Sequence, residues 1–176
     1  MSLRHGILGL LSNRPASGYD LLSTFQETLA NVWPATQSQL YGELNRLAND
    51  GLIRVTSTGA RGRKEYELTD AGGDELHRWL VDVEPKRVNR NDMLLRVFFL
   101  GLLTRKEAVA YIENERAVTE RYRAELKAIE DGNDWSQGDF AANGRIALEW
   151  GLRYTEMQRE WADWALDRLA PKRSKD

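Results

Sequence analysis

Hydrogen-bonding side chains recur at helical spacing in the segment that begins at Trp33. Leu40, Leu44 and Leu47 would lie on one side of a helix. The opposite side and its flanks carry short or hydrogen-bonding residues, namely Ser38, Gln39, Tyr41, Gly42, Asn45, Arg46 and Asn49. Amide, hydroxyl and guanidinium groups on one face are the groups that bind base edges in a DNA groove. The segment therefore predicts a helix that packs with one side and contacts nucleic acid with the other.

The boundaries of this helix and of the elements after it are also marked in the sequence. Thr36 and Gln39 form the Ser/Thr-x-x-Glu/Gln pattern of a capping box, which predicts a helix start after Thr36. Gly51 predicts the helix end. The sequence then predicts a strand, a glycine-containing turn and a returning strand, at residues 52–57, 59–62 and 63–68. A recognition helix followed by a β-hairpin wing has this order of elements.

Positive charge is local to this segment. The whole chain of 176 residues has a net charge of −2, which does not favour a nucleic-acid ligand. Residues 33–64 hold five basic residues against Glu43 and Asp50, a net of +3; the five are Arg46, Arg54, Arg61, Arg63 and Lys64. Because screening at physiological salt limits a charge to roughly 8 Å, local charge is what matters for phosphate contact.

These patterns predict a set of DNA-contacting residues, which comprises Thr36, Ser38, Gln39, Tyr41, Asn45, Arg46, Arg61, Arg63 and Lys64. Each prediction has a simpler alternative. Asn45 and Arg46 could be solvated residues on an exposed helix face. The Tyr41 ring could pack on the preceding helix, and the wing could be basic only because turns are exposed. Arg54 is interpreted as a surface residue.

The same residues carry a family resemblance. The blocks QLYGELNRL at 39–47, GLI at 51–53 and GRKxYxLTxxG at 62–72 resemble the signature of PadR-like transcriptional regulators. Upstream, LGLL at 8–11 and SGYDL at 17–21 are similar to the first two helices of that family. Many members carry Gly and Pro where this chain has Ser38 and Gly42. This departure suggests the branch that has a long carboxy-terminal helical region.

The resemblance implies a fold and a function. The expected fold is mainly α with a small β-hairpin wing: a winged helix-turn-helix DNA-binding domain at 1–84 and an α-helical dimerisation domain at 85–176. The expected function is that of a homodimer that binds a palindromic operator in double-stranded DNA. Members of the family are commonly repressors, and a small aromatic effector often releases them. We expect such a dimer to read two half-sites about one helical turn apart.

The rest of the first half is predicted to be helical. Apolar spacing predicts one helix over 3–11 and a second, capped by Ser17, that continues toward Asn31. Thr69 would cap a fourth helix, which ends before Pro85. Its apolar side comprises Leu76, Trp79, Leu80 and Val83. Residues 84–87 are the predicted linker between domains.

The second half is predicted to be almost wholly helical. Residues 93–103 predict a short buried helix, and Thr104 with Glu107 forms a capping box that opens a helix over 105–130. A last helix is predicted over 139–169. It carries a predicted dimerisation seam, whose members are Phe140, Ala147, Trp150, Tyr154, Met157, Trp161 and Trp164. Alternatively, the preceding helix covers this seam within one chain, and both contacts can coexist.

Six tryptophans in 176 residues are a high number. A cleft lined by Trp and Tyr could stack a planar ligand, and the resemblance suggests small aromatic effectors. We expect Trp33, Trp150 and Tyr154 to be the effector-binding residues, near an interface between the DNA-binding half and the last helix. The alternative is that these side chains only fill packing space.

Other kinds of protein are disfavoured by what the sequence lacks. There is no cysteine, and neither histidine, His5 or His77, has neighbours at metal-ligand spacing. No catalytic or nucleotide-binding motif is present, so we expect no catalytic residue, no metal and no cofactor. No segment resembles a membrane span or a signal peptide, which predicts a cytoplasmic protein. The alternative function is a protein-interaction module with a degenerate winged helix and no specific DNA binding.

Overall fold

The computed structural model describes residues 2–29, 32–58, 63–85, 90–136 and 138–170, and the chain forms two compact units, Met1–Arg87 and Val88–Asp176. The first unit contains α1 (Ser2–Asn13), β1 (Ala16–Ser17), α2 (Gly18–Thr28), α3 (Gln37–Asn49), β2 (Ile53–Thr58), β3 (Lys64–Leu68) and α4 (Asp70–Asp82). The second contains α5 (Asp92–Val97), a 3₁₀ helix (Leu100–Leu102), α6 (Arg105–Gly132) and α7 (Gly138–Leu169). The predicted turn at 59–62 and part of the predicted linker lie outside the described residues.

The core of the first unit is formed by α1, α2, α3 and the two hairpin strands, and Leu76 of α4 packs against it. Apolar side chains at helical spacing on α1, α2 and α3 meet Ile53 of β2 and Tyr66 of β3. The buried helical members are Ile7, Leu8, Leu10, Leu11, Leu21, Phe25, Leu40, Leu44 and Leu47. The three leucines of α3 are completely buried, which fixes the rotation of this helix about its own axis.

Side-chain caps set the starts of the helices, as predicted. The Ser17 hydroxyl accepts a hydrogen bond from the Asp20 N–H, and Thr36 and Thr104 both form complete capping boxes. Each cap satisfies N–H groups that have no partner within the helix. At its other end, α2 stops at Thr28, short of the predicted end near Asn31.

The three strands form one antiparallel sheet in the order β1-β3-β2. The hairpin of β2 and β3 confirms the predicted wing strands, whereas β1 was not predicted. Tyr66 lies opposite Ala16 on one side and Val55 on the other, and a β-bulge follows Val55. The sheet thus connects the wing to the chain just before α2, with the Tyr66 ring in the core.

Gly72 allows α4 to approach the connection between α3 and the wing. A Cβ atom at Gly72 would lie 2.1 Å from the carbonyl oxygen of Leu52, which already accepts a hydrogen bond from the Thr69 N–H at 3.2 Å. No side chain fits at that distance. The glycine of the Thr-x-x-Gly pattern is therefore required by backbone packing, because the first turn of α4 lies against Leu52.

The second unit is built on α6 and α7, which run antiparallel. The beginning of α6 meets the end of α7 in a cluster of Ile112, Ala162 and Ala165. The end of α6 meets the beginning of α7 in a second cluster of Leu126, Leu148 and Leu152. Between the two clusters, Arg123 donates hydrogen bonds to the Leu152 carbonyl and the buried Thr155 hydroxyl and pairs with Glu156.

Two predictions of burial were wrong for the single chain. Residues 93–103 form α5 and a 3₁₀ helix, but most of their large apolar side chains are exposed: Leu94, Leu95, Phe98, Phe99, Leu102 and Leu103. Only Val97 and Leu100 pack against the Ile112 cluster, because this short segment touches the α6 and α7 pair along one edge. On α4, Leu80 and Val83 are likewise exposed, while Leu76 and Trp79 are half-buried.

Candidate nucleic-acid interface

The first turn of α3 is held by its capping box. The Thr36 hydroxyl accepts a hydrogen bond from the Gln39 N–H at 3.3 Å, and the Gln39 side-chain oxygen accepts one from the Thr36 N–H at 2.9 Å. Both residues are exposed. Because the Gln39 oxygen is engaged in the cap, any contact that Gln39 makes to a ligand falls to its NH₂ group.

The outward face of α3 carries the predicted polar residues. Ser38, Gly42, Asn45 and Arg46 are all exposed, and they lie opposite the fully buried leucines. Gly51, at φ 73°, follows the C-cap residue and turns the chain into β2. The helix therefore presents short and hydrogen-bonding side chains to solvent, beside the wing that follows it.

Arg46 is held by an unexpected partner. Its Nη1 donates to Oε2 of Glu43 at 3.2 Å, and Glu43 is a buried carboxylate on the same helix. Arg4 of α1 reaches the other oxygen of Glu43, with 3.3 Å between Nε and Oε1, and also pairs with Asp50. Sequence reasoning missed Arg4 and Glu43. The available signal was a charged residue within the stripe of leucines.

The basic residues of the wing differ from one another in exposure and in their partners. Arg63 is exposed and donates from Nη2 to Asp20 at 2.8 Å, which links the wing to the start of α2. The Ser17 hydroxyl and then Arg63 lower the pKa of the Asp20 carboxyl. Lys64 is exposed, whereas Arg61 lies outside the described residues. Arg54 pairs across the hairpin with Glu67 at 2.8 Å, which agrees with its interpretation as a surface residue.

Of the two alternatives for Tyr41, the structure places the ring against α2. A Cβ atom at Gly18 would lie 2.7 Å from Cε1 of Tyr41, so the glycine leaves the space that the ring fills. Tyr41 is half-buried and packs against the core of the first unit. Burial and the nearby Tyr41 raise the pKa of Tyr66. Tyr41 is thus primarily a packing residue with one edge at the surface.

The aromatic residues predicted to bind an effector lie in different units. Trp33 is exposed in the first unit, just before the capping box. In the second unit Trp150 and Tyr154 stack on each other, with 5.1 Å between ring centroids and 8° between ring planes. Trp150 is 69% exposed, so one face of this pair faces solvent.

The predicted dimerisation seam lies mostly on the free side of α7. Its exposed members are Phe140, Ala147, Trp150, Met157 and Trp164, whereas Tyr154 and Trp161 are half-buried. Trp161 packs against the Ile112 cluster, so α6 covers this part of the seam within the chain. Most of the contact with α6 uses a different face, which carries Leu148, Leu152, Thr155, Ala162 and Ala165.

The described part of the chain has neither a metal-binding cluster nor a membrane-spanning helix. No group of three or more His, Asp or Glu residues there could hold a metal ion. Among the same residues, no helix has the length and apolar character needed to cross a membrane.

Comparisons with known proteins follow the two units. The profile of the transcriptional regulator PadR-like family matches residues 7–78, and that of the virulence activator alpha C-terminal region matches residues 89–170. The negative transcriptional regulator PadR of Bacillus subtilis is 41% identical over 110 residues, which span 60% of this chain and 60% of that protein.

Solved structures extend the likeness to nearly the whole chain. The crystal structure of Bacillus subtilis PadR in complex with operator DNA is 31% identical, with a TM-score of 0.81, over 97% of this chain and all of that one. The complex of the same protein with p-coumaric acid is 29% identical, with a TM-score of 0.82, over 96% and 99% of the two chains.

A capped recognition helix followed by a β-hairpin wing defines a winged helix-turn-helix protein. The chain belongs to the PadR-like family of transcriptional regulators, and its second unit is of the virulence-activator C-terminal type. It is a DNA-binding transcriptional regulator.

Proposed function

We propose that the protein is a repressor that binds a palindromic operator as a homodimer. The observation that carries this proposal is the outward face of α3, where Ser38, Asn45 and Arg46 stand exposed on a helix whose other side is fully buried. Such a helix can enter a major groove without loss of its core contacts. The family relative that was solved with operator DNA supports operator binding by this chain.

The proposed residues divide into two roles. Ser38, Asn45 and Arg46 contact base edges or adjacent phosphates, while Arg63, Lys64 and Arg61 of the wing contact phosphates or the minor groove. Thr36 and Gln39 contribute near the helix start, where N–H groups favour a phosphate. Tyr41 contributes only its exposed edge.

A second copy of the chain is the proposed partner of the exposed apolar surface on the second unit. This surface includes the free side of α7, with Trp150, Met157 and Trp164, and the exposed apolar residues of α5. So much apolar surface is unusual on a monomer and typical of an interface. We therefore assign DNA binding to residues 1–84 and dimerisation to 85–176, in a protein that acts in the cytoplasm.

A small planar aromatic effector is the proposed signal. The stacked pair of Trp150 and Tyr154 offers an exposed indole face, and the relative solved with p-coumaric acid suggests phenolic acids as the chemical class. Trp33 is the proposed third contributor. Such a ligand lowers operator affinity only to the extent that it prefers a dimer geometry that does not fit the operator.

Gel shift against the DNA upstream of the gene tests the proposed DNA binding. We expect a discrete dimer complex whose affinity falls steeply as salt rises, because phosphate contacts release counterions. Equal affinity for random duplex would contradict the proposal and favour a protein-interaction module.

Fluorescence titration tests the effector. We expect p-coumaric acid or a related phenolic compound to quench tryptophan emission and to weaken the gel-shift complex at the same concentrations. Trp150→Leu should abolish the quenching that belongs to the site, whereas Trp135→Leu, in the loop between α6 and α7, serves as the control. A compound panel without effect in both measurements would contradict an aromatic effector.

A further inference from the structure

Glu43 is a carboxylate on the core side of the recognition helix. Its side chain is only 7% exposed, and the neighbouring Leu44 is fully buried. Removing a carboxylate from water is unfavourable unless cations and hydrogen bonds replace the lost hydration. A leucine would fill such a position without this cost, so the use of a carboxylate here calls for an explanation in terms of its partners.

Two arginines contact Glu43, one at each carboxylate oxygen. Arg4, from α1, lies behind it with Nε 3.3 Å from Oε1. Arg46, one turn further along α3, donates from Nη1 to Oε2 at 3.2 Å. Arg4 also pairs with Asp50, the C-cap residue of α3. The inner arginine therefore contacts α3 at two acidic residues, Glu43 and Asp50, and Glu43 in turn pairs with the outer arginine.

The two arginines differ in exposure. The side chain of Arg4 is 25% exposed, whereas that of Arg46 is 70% exposed and lies on the outward side of α3. A solvated arginine samples many rotamers, and binding a ligand removes that freedom. A guanidinium already held by a fixed carboxylate loses less freedom when it meets DNA.

We propose that Glu43 is a positioning residue for DNA recognition, which, with Arg4 behind it, holds the Arg46 guanidinium in the orientation that the operator requires. This inference rests on the proposed function, in which Arg46 contacts the operator. For removal of the Glu43 carboxylate, this inference predicts a change in operator affinity that is opposite in sign to the change that simple electrostatics predicts. A carboxylate near DNA repels phosphate, so its removal alone should tighten binding to every duplex.

The test uses full-length Glu43→Gln and two duplexes, one selected by the wild-type chain from a randomised pool and one scrambled. Affinity for the selected duplex should fall about two- to tenfold, the effect expected from freeing one long side chain. Affinity for the scrambled duplex should stay constant or rise. Glu67→Gln is the matched control, since Glu67 pairs with the exposed Arg54 on the wing. It should leave the ratio of the two affinities unchanged.

A double-mutant cycle separates positioning from stability. Arg46→Ala should weaken binding to the selected duplex, and in that background Glu43→Gln should no longer lower affinity, although its effect on thermal unfolding should persist. Arg4→Gln is an independent variant that leaves α3 unchanged. It should lower selected-duplex affinity in the same direction, which keeps the proposal testable if Glu43→Gln unfolds the unit.

The outcomes distinguish the two levels of the proposal. If Arg46→Ala leaves both affinities unchanged, the proposed operator contact fails, and the positioning role fails with it. If Arg46→Ala weakens binding but Glu43→Gln tightens both duplexes equally, or adds its full effect in the double variant, the positioning role is overturned while DNA binding by this helix stands.

Discussion

The two units of the chain use apolar residues in opposite ways. In the first unit, leucines and isoleucines from α1, α2 and α3 are buried with ring and aliphatic groups of the sheet, and the core closes within the chain. In the second unit, α6 and α7 cover one face of each other, while α5 and the free side of α7 leave large apolar groups exposed, among them Phe98 at 86%. The first unit packs its core within the chain, although α4 leaves Leu80 and Val83 exposed, whereas the second unit leaves more of its large apolar side chains exposed.

The contrast shows that two units with similar shares of hydrophobic residues can differ in how many of them they bury. In the first unit, the outward face of α3 stays polar, while the leucines on the other side of that helix are fully buried. In the second unit, α7 packs one side against α6 and leaves apolar residues on another side exposed, and these are the residues that we propose for association. Substitutions in the two units should therefore affect different measurements.

Gly72→Ala should give the largest effect and should be confined to the stability of the first unit. The added methyl group would lie 2.1 Å from the Leu52 carbonyl oxygen, which is backbone and moves only with its element. We expect the free energy of unfolding to fall by about 3 kcal/mol. Urea denaturation measures it.

Gly42→Ala is the matched control for that prediction. Gly42 is an exposed glycine in α3, and an added Cβ atom meets nothing within 4 Å. We expect a gain of about 0.5–1 kcal/mol from helix propensity. If both alanine variants have the same stability, the close approach of α4 to Leu52 is not a determinant of the fold.

Phe98→Ser should affect association more than the fold of a single chain. Phe98 is exposed, so its loss removes little internal packing. If a second copy covers it, each chain loses roughly 1.5–3 kcal/mol of apolar burial, and the dimer should dissociate at micromolar concentration. Sedimentation equilibrium measures this.

Leu126→Ala, within the second unit, should instead reduce thermal stability. A wild-type monomer at these concentrations would remove the contrast between the units.

Asn45→Ala and Arg63→Ala should sharpen the comparison within the DNA surface. Asn45→Ala should reduce the preference for operator over random DNA by roughly 1–3 kcal/mol if the amide makes a paired base contact. Arg63→Ala should weaken binding to both duplexes. It should also reduce by about 1 the slope of log affinity against log salt concentration. Identical effects of the two substitutions on both duplexes would contradict the division into base-reading and phosphate-binding residues.

The smallest effect is expected from pH at the link between the wing and α2. The pKa of Asp20 is lowered from its ordinary 3.8, chiefly by the Ser17 hydroxyl and then by Arg63. The ionised carboxyl therefore contributes stability above pH 3.8 that is lost as pH falls through the lower folded value. Asp20→Asn should flatten the pH dependence of thermal stability, and only in this acid range. A difference in pH slope between pH 6 and 8 would contradict this assignment.

Much of the first unit could be predicted because its signals are local. The caps at Ser17, Thr36 and Thr69 act within three residues, so sequence alone placed the starts of α2, α3 and α4. Strand β1 could not be predicted, since two residues carry no alternation and its pairing partner Tyr66 lies about fifty residues away. Local chemistry is visible in a sequence, whereas partners brought together by topology are not.

The candidate site shows the same limit. The outward position of Asn45 follows from helical spacing, but the holding of Arg46 by Glu43 depends on Arg4, which comes from another helix. Tyr41 could not be assigned from spacing because it lies at the margin between the buried and exposed sides. For residues 93–103, hydrophobicity predicted burial, but most of the large apolar side chains are exposed, because composition does not specify which surface of the chain lies against them.

The contact between α1 and α4 has a consequence for how the protein is made. His5 stacks on Trp79 with 4.4 Å between ring centroids, and its Nε2 lies 3.1 Å from Glu75, so the start of the first unit is completed by its last helix. A ribosome must therefore synthesise and release α4 before α1 can reach its final contacts. The helices α6 and α7, which are joined by a short loop, can pair as soon as both have emerged. His5 and Glu75 are separated by 70 residues, so the side of α1 that α4 covers stays accessible to chaperones until that length of chain has been made.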